Sequence, residues 1–295
     1  MSSCRHIGLG LLLVATAAPA HADPYQEFVG SRAEAMGGAH RGLGTSNDTL
    51  ILNPAGLALM RRYSIDTVYG YSGQETLSHI HVSVADSKTG PVSGALGYTY
   101  SRGDHSRSDV DMHRIYVASA YPILENLAFG VLARHIRGTF REEDRIKQNV
   151  ESFSTDIGLS LVLFEVFGIA ATYHNLITSS RKRFNPPHLG FGLAYVGESL
   201  AIATDLEVDL RKLHFGDPTF RAGIEYFLAD QFPLRFGYRM RPWIFEQRDG
   251  RKGFENVLGG GAGWVTESGS VEVTYTHSIE IKKNWDFIAS LKFFL

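Results

Sequence analysis

The chain has one cysteine and few apolar runs, and both shortages limit what it can be. Cys4 precedes the first apolar run, so it does not hold the position of a lipid-bearing cysteine. Once the leader described below is removed, no cysteine is left for a disulfide. Beyond the leader no window approaches the roughly 18 consecutive apolar residues of a membrane helix.

Charge is also nearly balanced. The chain carries 29 Lys and Arg against 31 Asp and Glu, with a net charge of −2 over 295 residues. Proteins that bind nucleic acid need an excess of positive charge, so a nucleic-acid partner is not expected. What is abundant instead is glycine and aromatic residues, with 31 Gly, 18 Phe and 13 Tyr.

The N-terminus is typical of a secretory leader. Arg5 supplies a positive start, an apolar run follows, and Ala-His-Ala stands before Asp23. This order predicts a signal peptide over 1–22, cleaved after Ala22. The remaining chain divides into a Gly/Ala-rich segment at 23–61 and a longer region at 62–295.

The region 62–295 repeats with a period of two. Val271, Val273 and Tyr275, for example, alternate with Glu272 and Thr274. Such alternation predicts strands with one apolar and one polar face. Most segments have the nine to twelve residues that a tilted strand needs to cross a bilayer. The predicted segments are 62–72, 76–86, 92–102, 111–121, 126–137, 152–163, 166–175, 188–198, 200–210, 219–228, 232–240, 255–265, 269–278 and 286–295.

The connections between these fourteen segments alternate in length. One set is short, as in "DSKTG", "ILEN" and "ADQ", whereas the other includes "SRGDHSRSDV" and "GTFREEDRIKQNVE". Outer-membrane barrels have short periplasmic turns and longer outer loops, and an even strand number. The sequence therefore predicts an all-β, 14-stranded antiparallel transmembrane β-barrel in a Gram-negative outer membrane, with both termini on the periplasmic side.

A soluble β-sandwich is the alternative for short alternating strands. It is disfavoured because nearly every predicted strand has an apolar outer face, such as Leu189, Phe191 and Leu193. The final segment also alternates, with Phe287, Leu291, Phe293 and Leu295 on one face. This ending resembles the signal that the outer-membrane assembly machinery reads, which makes that machinery and the membrane lipid expected partners.

The segment Gly30–Met60 precedes the first strand and is rich in small residues. It ends in Asn53, Pro54, Ala55 and Gly56. A phosphate-binding loop is excluded because G-x-x-x-x-G-K-[ST] and a βαβ context are both missing. The segment resembles the N-terminus of the FadL/TodX group of outer-membrane transporters and of their PorV-type relatives. The resemblance implies that 23–61 folds inside the barrel as a plug, which is called the hatch below.

The same resemblance implies passive uptake of small hydrophobic or amphipathic molecules, with no cofactor. In the family, the ligand lands among the outer loops, passes a kinked wall strand and the hatch, and leaves sideways or inward. An apolar docking site among the outer loops is hard to find here, and Trp243, Ile244 and Phe245 are the best candidates. The PorV-type relatives leave a second hypothesis open, a barrel that docks partner proteins and transports nothing.

Charged residues on the predicted strands fall on the inward face. Facing lipid, each Arg would cost roughly 2–4 kcal/mol at mid-bilayer. They either form an ion-pair network across neighbouring strands or include an Arg that captures an anionic head group. The candidates are Arg134, Asp156, Asp205, Glu207, Asp209, Arg221, Glu225, Arg235 and Arg239.

Histidine and serine are plentiful but form no recognised catalytic constellation, so no catalytic residue and no enzyme activity is expected. His79 and His81 lie two residues apart on one strand face and could present two imidazoles to a metal ion. No third ligand is evident, so a polar pair in the lumen is the expectation and no metal is assigned.

Overall fold

The structure is a computed structural model that describes residues 27–73, 76–105, 108–142, 148–179, 185–210, 218–242 and 253–295. The predicted signal peptide at 1–22 and the apolar trio Trp243, Ile244 and Phe245 lie outside the described residues.

Fourteen antiparallel strands in this part of the chain form one closed barrel. Each strand pairs with its neighbours in sequence, and β1 closes the wall by pairing with β14. The predicted fold class and strand order are confirmed. The strands are β1 Tyr63–Ser72, β2 Leu77–Asp86, β3 Ser93–His105, β4 Ser108–Leu124, β5 Leu127–Glu142, β6 Gln148–Leu163, β7 Phe167–Thr178, β8 His188–Val196, β9 Leu200–Asp209, β10 Thr219–Leu228, β11 Phe232–Pro242, β12 Phe254–Val265, β13 Gly269–Ser278 and β14 Trp285–Phe294.

Alternation along each strand separates the outside from the lumen. On β13, Val271, Val273 and Tyr275 are about half exposed, whereas Glu272 and Thr274 are buried. The same pattern recurs around the barrel, so the outer surface is a band of Leu, Ile, Val, Phe and Tyr. A band of this kind is what a transmembrane barrel presents to lipid.

Two expected outer loops are largely strand. The stretches "SRGDHSRSDV" and "GTFREEDRIKQNVE" contribute to β3, β4, β5 and β6, which run 13, 17, 16 and 16 residues. The prediction of loops in these two stretches was wrong because strands were identified from apolar outward residues, and the outward residues are polar here. The inward residues stay apolar, with Met112, Phe140 and Val150 all buried. The difference in length between the two sets of connections is therefore smaller than the sequence predicted.

Residues 27–61 of the hatch pack against the inner face of the barrel and form three short helices and a turn. These are α1 Ser31–Ala35, α2 Thr49–Leu52, a 3-10 turn at Pro54–Gly56 and α3 Leu57–Met60. No helix in the described ranges has the length and apolar character to cross a membrane. Arg61 adopts a left-handed conformation, with φ of 47°, and turns the chain from α3 into β1.

Inward-facing glycines bring the wall close to the hatch. A Cβ on Gly130 would lie 2.3 Å from the Ala55 nitrogen, and one on Gly237 would lie 2.1 Å from the Gly37 nitrogen. No side chain fits at such distances, so the wall needs glycine wherever the hatch backbone approaches it. Glycines that a Cβ would bring under 3 Å from the hatch are Gly70, Gly97, Gly130, Gly158, Gly168, Gly190, Gly192, Gly223, Gly237, Gly259 and Gly261.

Candidate functional site

The Asn-Pro-Ala-Gly motif lies at the centre of the hatch, fully buried. Asn53 caps the 3-10 turn, since its Oδ1 accepts from the Ala55 N–H at 3.2 Å. Its Nδ2 donates to the Arg41 carbonyl at 3.2 Å and to Ser160 Oγ of β6 at 2.7 Å. Pro54, Ala55 and Gly56 are buried beside it. Asn53 therefore connects two parts of the hatch to the wall.

A charged cluster fixes α1 to the wall strands β10, β11 and β13. Arg32 donates to both carboxylate oxygens of Glu225, at 3.0 and 2.5 Å. Arg235 donates to Glu225 at 2.6 Å and to Glu272 at 3.2 Å. Lys292 of β14 completes the cluster, at 3.1 Å from Glu272. The bidentate geometry makes Arg32–Glu225 the strong type of ion pair.

A second cluster holds the middle of the hatch against β9 and β10. Arg41 is 1% exposed and donates to Asp205 at 3.2 Å and to Glu207 at 2.5 Å. Asp205 also accepts from the backbone N–H groups of His40 and Arg41. Arg221 donates to Glu207 at 3.1 Å. Nearby, Arg239 donates to Glu34 of α1 at 3.0 Å.

The structure places the nine charged residues selected from sequence on the lumen side. Eight of them make the pairs given above and below, and Asp209 is half-buried at the end of β9 with a partner of its own. Sequence reasoning missed the hatch charges Arg32, Glu34 and Arg41. It also missed Glu272 and Lys292, which alternation on β13 and β14 could have identified as inward-facing.

The wall is irregular where β6 meets β7. Thr155 pairs with Ile177 and Ile157 pairs with Tyr173, so β7 contains extra residues opposite Asp156. Asn175, at the bulge, has a φ of 58°. The Asn175 N–H, freed from the ladder, donates to Asp156 at 2.7 Å. Asp156 thus replaces the missing strand partner.

Side-chain contacts add to the strand pairing that holds the wall together around this bulge. Asp156 accepts from Arg134 at 2.6 Å and faces His174 Nδ1 at 2.9 Å. The β7–β8 ladder ends at the pair His174 and His188, whose rings stack at 4.5 Å. Beyond it, Asn175 Nδ2 donates to the Pro186 carbonyl at 2.8 Å. We call this stretch, 174–178 of β7 with its neighbours, the wall interruption.

An apolar cluster and a cavity of mixed polar and apolar lining lie on opposite sides of the hatch. On the side of the extended strands, six inward residues form a buried group, the outer apolar cluster: Leu77, Val110, Met112, Ile136, Phe140 and Val150. On the side where the barrel chain starts and ends, a cavity of about 1050 Å³ opens beside Leu43, Leu59, Phe164 and Phe167. Arg134 and Asp156 lie along β5 and β6 between the outer apolar cluster and the hatch.

Burial also shifts the pKa values of ionisable hatch groups. Loss of water lowers the pKa of His40 to about 4, although Asp48 opposes the change. Its Nε2 lies 2.9 Å from Ser46 Oγ. For Asp48, burial raises the pKa, but Lys292, His40 and Ser46 outweigh it and the pKa lies below its ordinary value. The hatch therefore folds with a neutral imidazole beside a carboxylate.

His79 and His81 each bind a hydroxyl on β3, Ser101 and Thr99, at 2.8 Å. Within the described ranges, no three His, Cys, Asp or Glu side chains converge as metal ligands would.

Comparisons with solved structures find barrels of the same architecture. The CymD monoaromatic hydrocarbon channel matches with a TM-score of 0.68 and 12% identity, over 90% of this chain and 97% of that one. The toluene transporter TodX of P. putida matches with a TM-score of 0.69 and 12% identity, over 91% and 99%. A Pseudomonas aeruginosa FadL homologue matches at 0.61 and 11%, over 90% and 98%.

By sequence, no protein-family model and no curated protein matches the chain. The likeness is therefore one of fold. It confirms, at that level, the resemblance to the FadL/TodX group that the hatch sequence indicated.

Proposed function

We propose that the protein is an outer-membrane channel through which small, uncharged apolar molecules enter passively. The observation that carries the proposal is the wall interruption at β7, on the same side of the barrel as the outer apolar cluster. The fold supports it, because the similar barrels include a monoaromatic hydrocarbon channel and toluene transporters.

The outer apolar cluster gives such molecules a place to enter. Its members face the lumen, where most other barrel positions carry polar or small residues. Met112 and Phe140 belong to it, and these side chains adapt easily to an apolar guest. A hydrocarbon that moves from water into this group removes its own apolar surface from water, so its partition into the cluster is favourable.

The exit runs sideways through the wall interruption in this proposal. The hatch packs against the inner wall, and buried ion pairs connect it to β9, β10 and β11. Moving it would separate several buried charges, whereas opening the wall interruption would break contacts that include the hydrogen bonds of Asp156 and Asn175. Leu176 and Ile177 are 40% and 62% exposed there, so the outlet faces an apolar surface.

An uncharged ligand fits the lumen better than an anionic one. Arg134, Arg221, Arg235 and Arg239 all have a carboxylate partner within 3.2 Å. An incoming carboxylate would compete with a buried acid for the same guanidinium and would leave that acid unpaired. The ion-pair interpretation of these residues is therefore preferred over head-group capture.

The docking alternative has no comparable support. None of the comparisons given above names a protein-docking barrel. Copurification tests the docking alternative, because a protein partner present in stoichiometric amount with the barrel would support it.

Uptake of labelled toluene by cells that express the chain tests the proposal. Cells with the protein should accumulate toluene faster than cells with an empty vector, while uptake of a labelled hexose should be the same in both. Equal toluene uptake, with the barrel present in the outer membrane, would show that it does not carry such molecules.

A further inference from the structure

The outward faces of β3 and β5 carry arginines where the rest of the barrel has none. Among the described strand residues, the Arg and Lys side chains that face outward are Arg102, Arg137 and Arg141, which are all exposed. The others face the lumen: Arg114, Arg134, Arg221, Arg235, Arg239, Arg241 and Lys292. We call the three outward residues the boundary arginines.

The boundary arginines begin where the apolar band ends. Strand pairing places Tyr98, Ile115, His135 and Phe153 in one row across β3 to β6. The next row along the strands, further from the hatch, consists of Tyr100, His113, Arg137 and Glu151. Arg102 and Arg141 lie one and two rows further out. The outward side chains thus change from apolar to polar or charged within three neighbouring rows on β3 to β6.

Aromatic residues mark this level as a membrane–water boundary. The Tyr98 hydroxyl lies 2.7 Å from His113 Nδ1, and the His113 ring lies 4.9 Å from Tyr100. Tyrosines with an apolar ring and a hydrogen-bonded polar end are typical of membrane interfaces. Arg137 and Arg102, in the rows beside these rings, therefore lie at the depth of lipid head groups.

Acids lie opposite the boundary arginines, but the described acids form no ion pairs with them. Arg102 is in register with Asp111, and Arg141 with Asp109. Among the acids whose side chains are described, none lies within salt-bridge distance of either guanidinium or of Arg137. Glu151, in register with Arg137, instead lies 3.5 Å from His135 Nε2. The boundary arginines thus keep guanidinium donors that match a phosphate in bidentate geometry.

We propose that this face of the barrel binds the phosphate group of an anionic lipid in the outer leaflet. Arg102 and Arg137 donate to the phosphate, and the acyl chains lie on Tyr98 and Ile115. Asp111 and Glu151 reduce the net positive charge of the described part of the patch, so free phosphate gains little from attraction at a distance. Binding requires the adjoining apolar surface. The inference depends on the proposed membrane location and is independent of transport.

Native mass spectrometry of the detergent-purified protein tests the proposal. Phosphatidic acid should bind with a half-saturating concentration about tenfold below that of diacylglycerol with the same chains. The double variant R102Q/R137Q should lose this preference. The matched control K282Q/K283Q removes two exposed charges from the β13–β14 connection and should keep it.

Three results would overturn the proposal. These are equal binding of the two lipids, an equal loss of the preference for phosphatidic acid in R102Q/R137Q and K282Q/K283Q, or displacement of phosphatidic acid by millimolar inorganic phosphate. The last would identify a site for the free ion. Because the outward side chains lie outside the core, both variants should fold, which heat-modifiable migration in gels checks. Toluene uptake is measured in a separate experiment, so failure of the lipid-binding proposal can be distinguished from failure of the transport proposal.

Discussion

Arg32 in the hatch and Glu225 in the wall strand β10 form a bidentate ion pair, with N–O distances of 3.0 and 2.5 Å. They are 193 residues apart in sequence. The pair connects a segment that crosses no membrane to the strands that form the barrel, so hatch and wall are stabilised together.

Replacing Arg32 with Gln should destabilise the barrel towards the lower end of the ~3–5 kcal/mol expected for a broken buried pair. The loss is moderated because Arg235 still pairs with Glu225. Thermal unfolding in detergent measures it, with Lys282→Gln as a surface control. The R32Q/E225Q double variant should cost less than the sum of the single changes. Strict additivity would mean that the two residues do not interact.

Gly130→Ala should push the hatch away from β5, since the new Cβ would lie 2.3 Å from the Ala55 nitrogen. Overpacking of this kind costs about 1–3 kcal/mol, and leakage of small polar solutes through the barrel should rise. Gly94→Ala on β3 is the control, because a Cβ there meets nothing within 4 Å. Identical stability and permeability in the two variants would contradict the close contact between hatch and wall.

His40 should make stability depend on pH. Its pKa is about 4 in the folded chain, against 6.5 for an ordinary histidine. Between these values the unfolded chain binds the extra proton, so stability is greatest above pH 6.5 and falls as the pH drops towards 4. Unfolding of His40→Asn, followed in the same buffers, should show a smaller fall. An unchanged pH dependence would mean that His40 is not buried as a neutral group.

Deleting Gly30–Met60 should leave a barrel that inserts but conducts small polar solutes. The segment packs against the inner wall and contributes no wall strand. Conductance in planar bilayers gives the readout. If no barrel is recovered from the membrane, the hatch is needed for folding, since its buried apolar cluster with β2–β5 would be lost.

Strand order could be read from sequence because lipid on one side and polar groups on the other impose a period of two. Alternation with apolar outward residues did not identify the outer ends of β3 to β6, because outward residues there, such as Arg137 and Glu151, lie at the membrane–water boundary. The apolar signal there comes from inward residues such as Met112 and Phe140. The same alternation would have identified Glu272 and Lys292 as lumen residues.

Other features have no local signal. Arg32 and Arg41 lie in a segment without regular alternation, and their partners are more than 160 residues away. The bulge at Asn175 depends on a carboxylate from another strand, Asp156. Such contacts follow from barrel closure and register, which a single strand does not encode.

The most direct test of the central claim compares toluene uptake by two disulfide variants. S31C/T274C locks the hatch to β13, since the two hydroxyls are 2.9 Å apart. S152C/N185C fastens β6 to the segment before β8 beside the wall interruption, where Asn185 Nδ2 lies 2.8 Å from Ser152 Oγ. The account predicts that the wall lock stops uptake until a reductant is added, while the hatch lock leaves it unchanged. Uptake that is lost with the hatch lock and kept with the wall lock would contradict it.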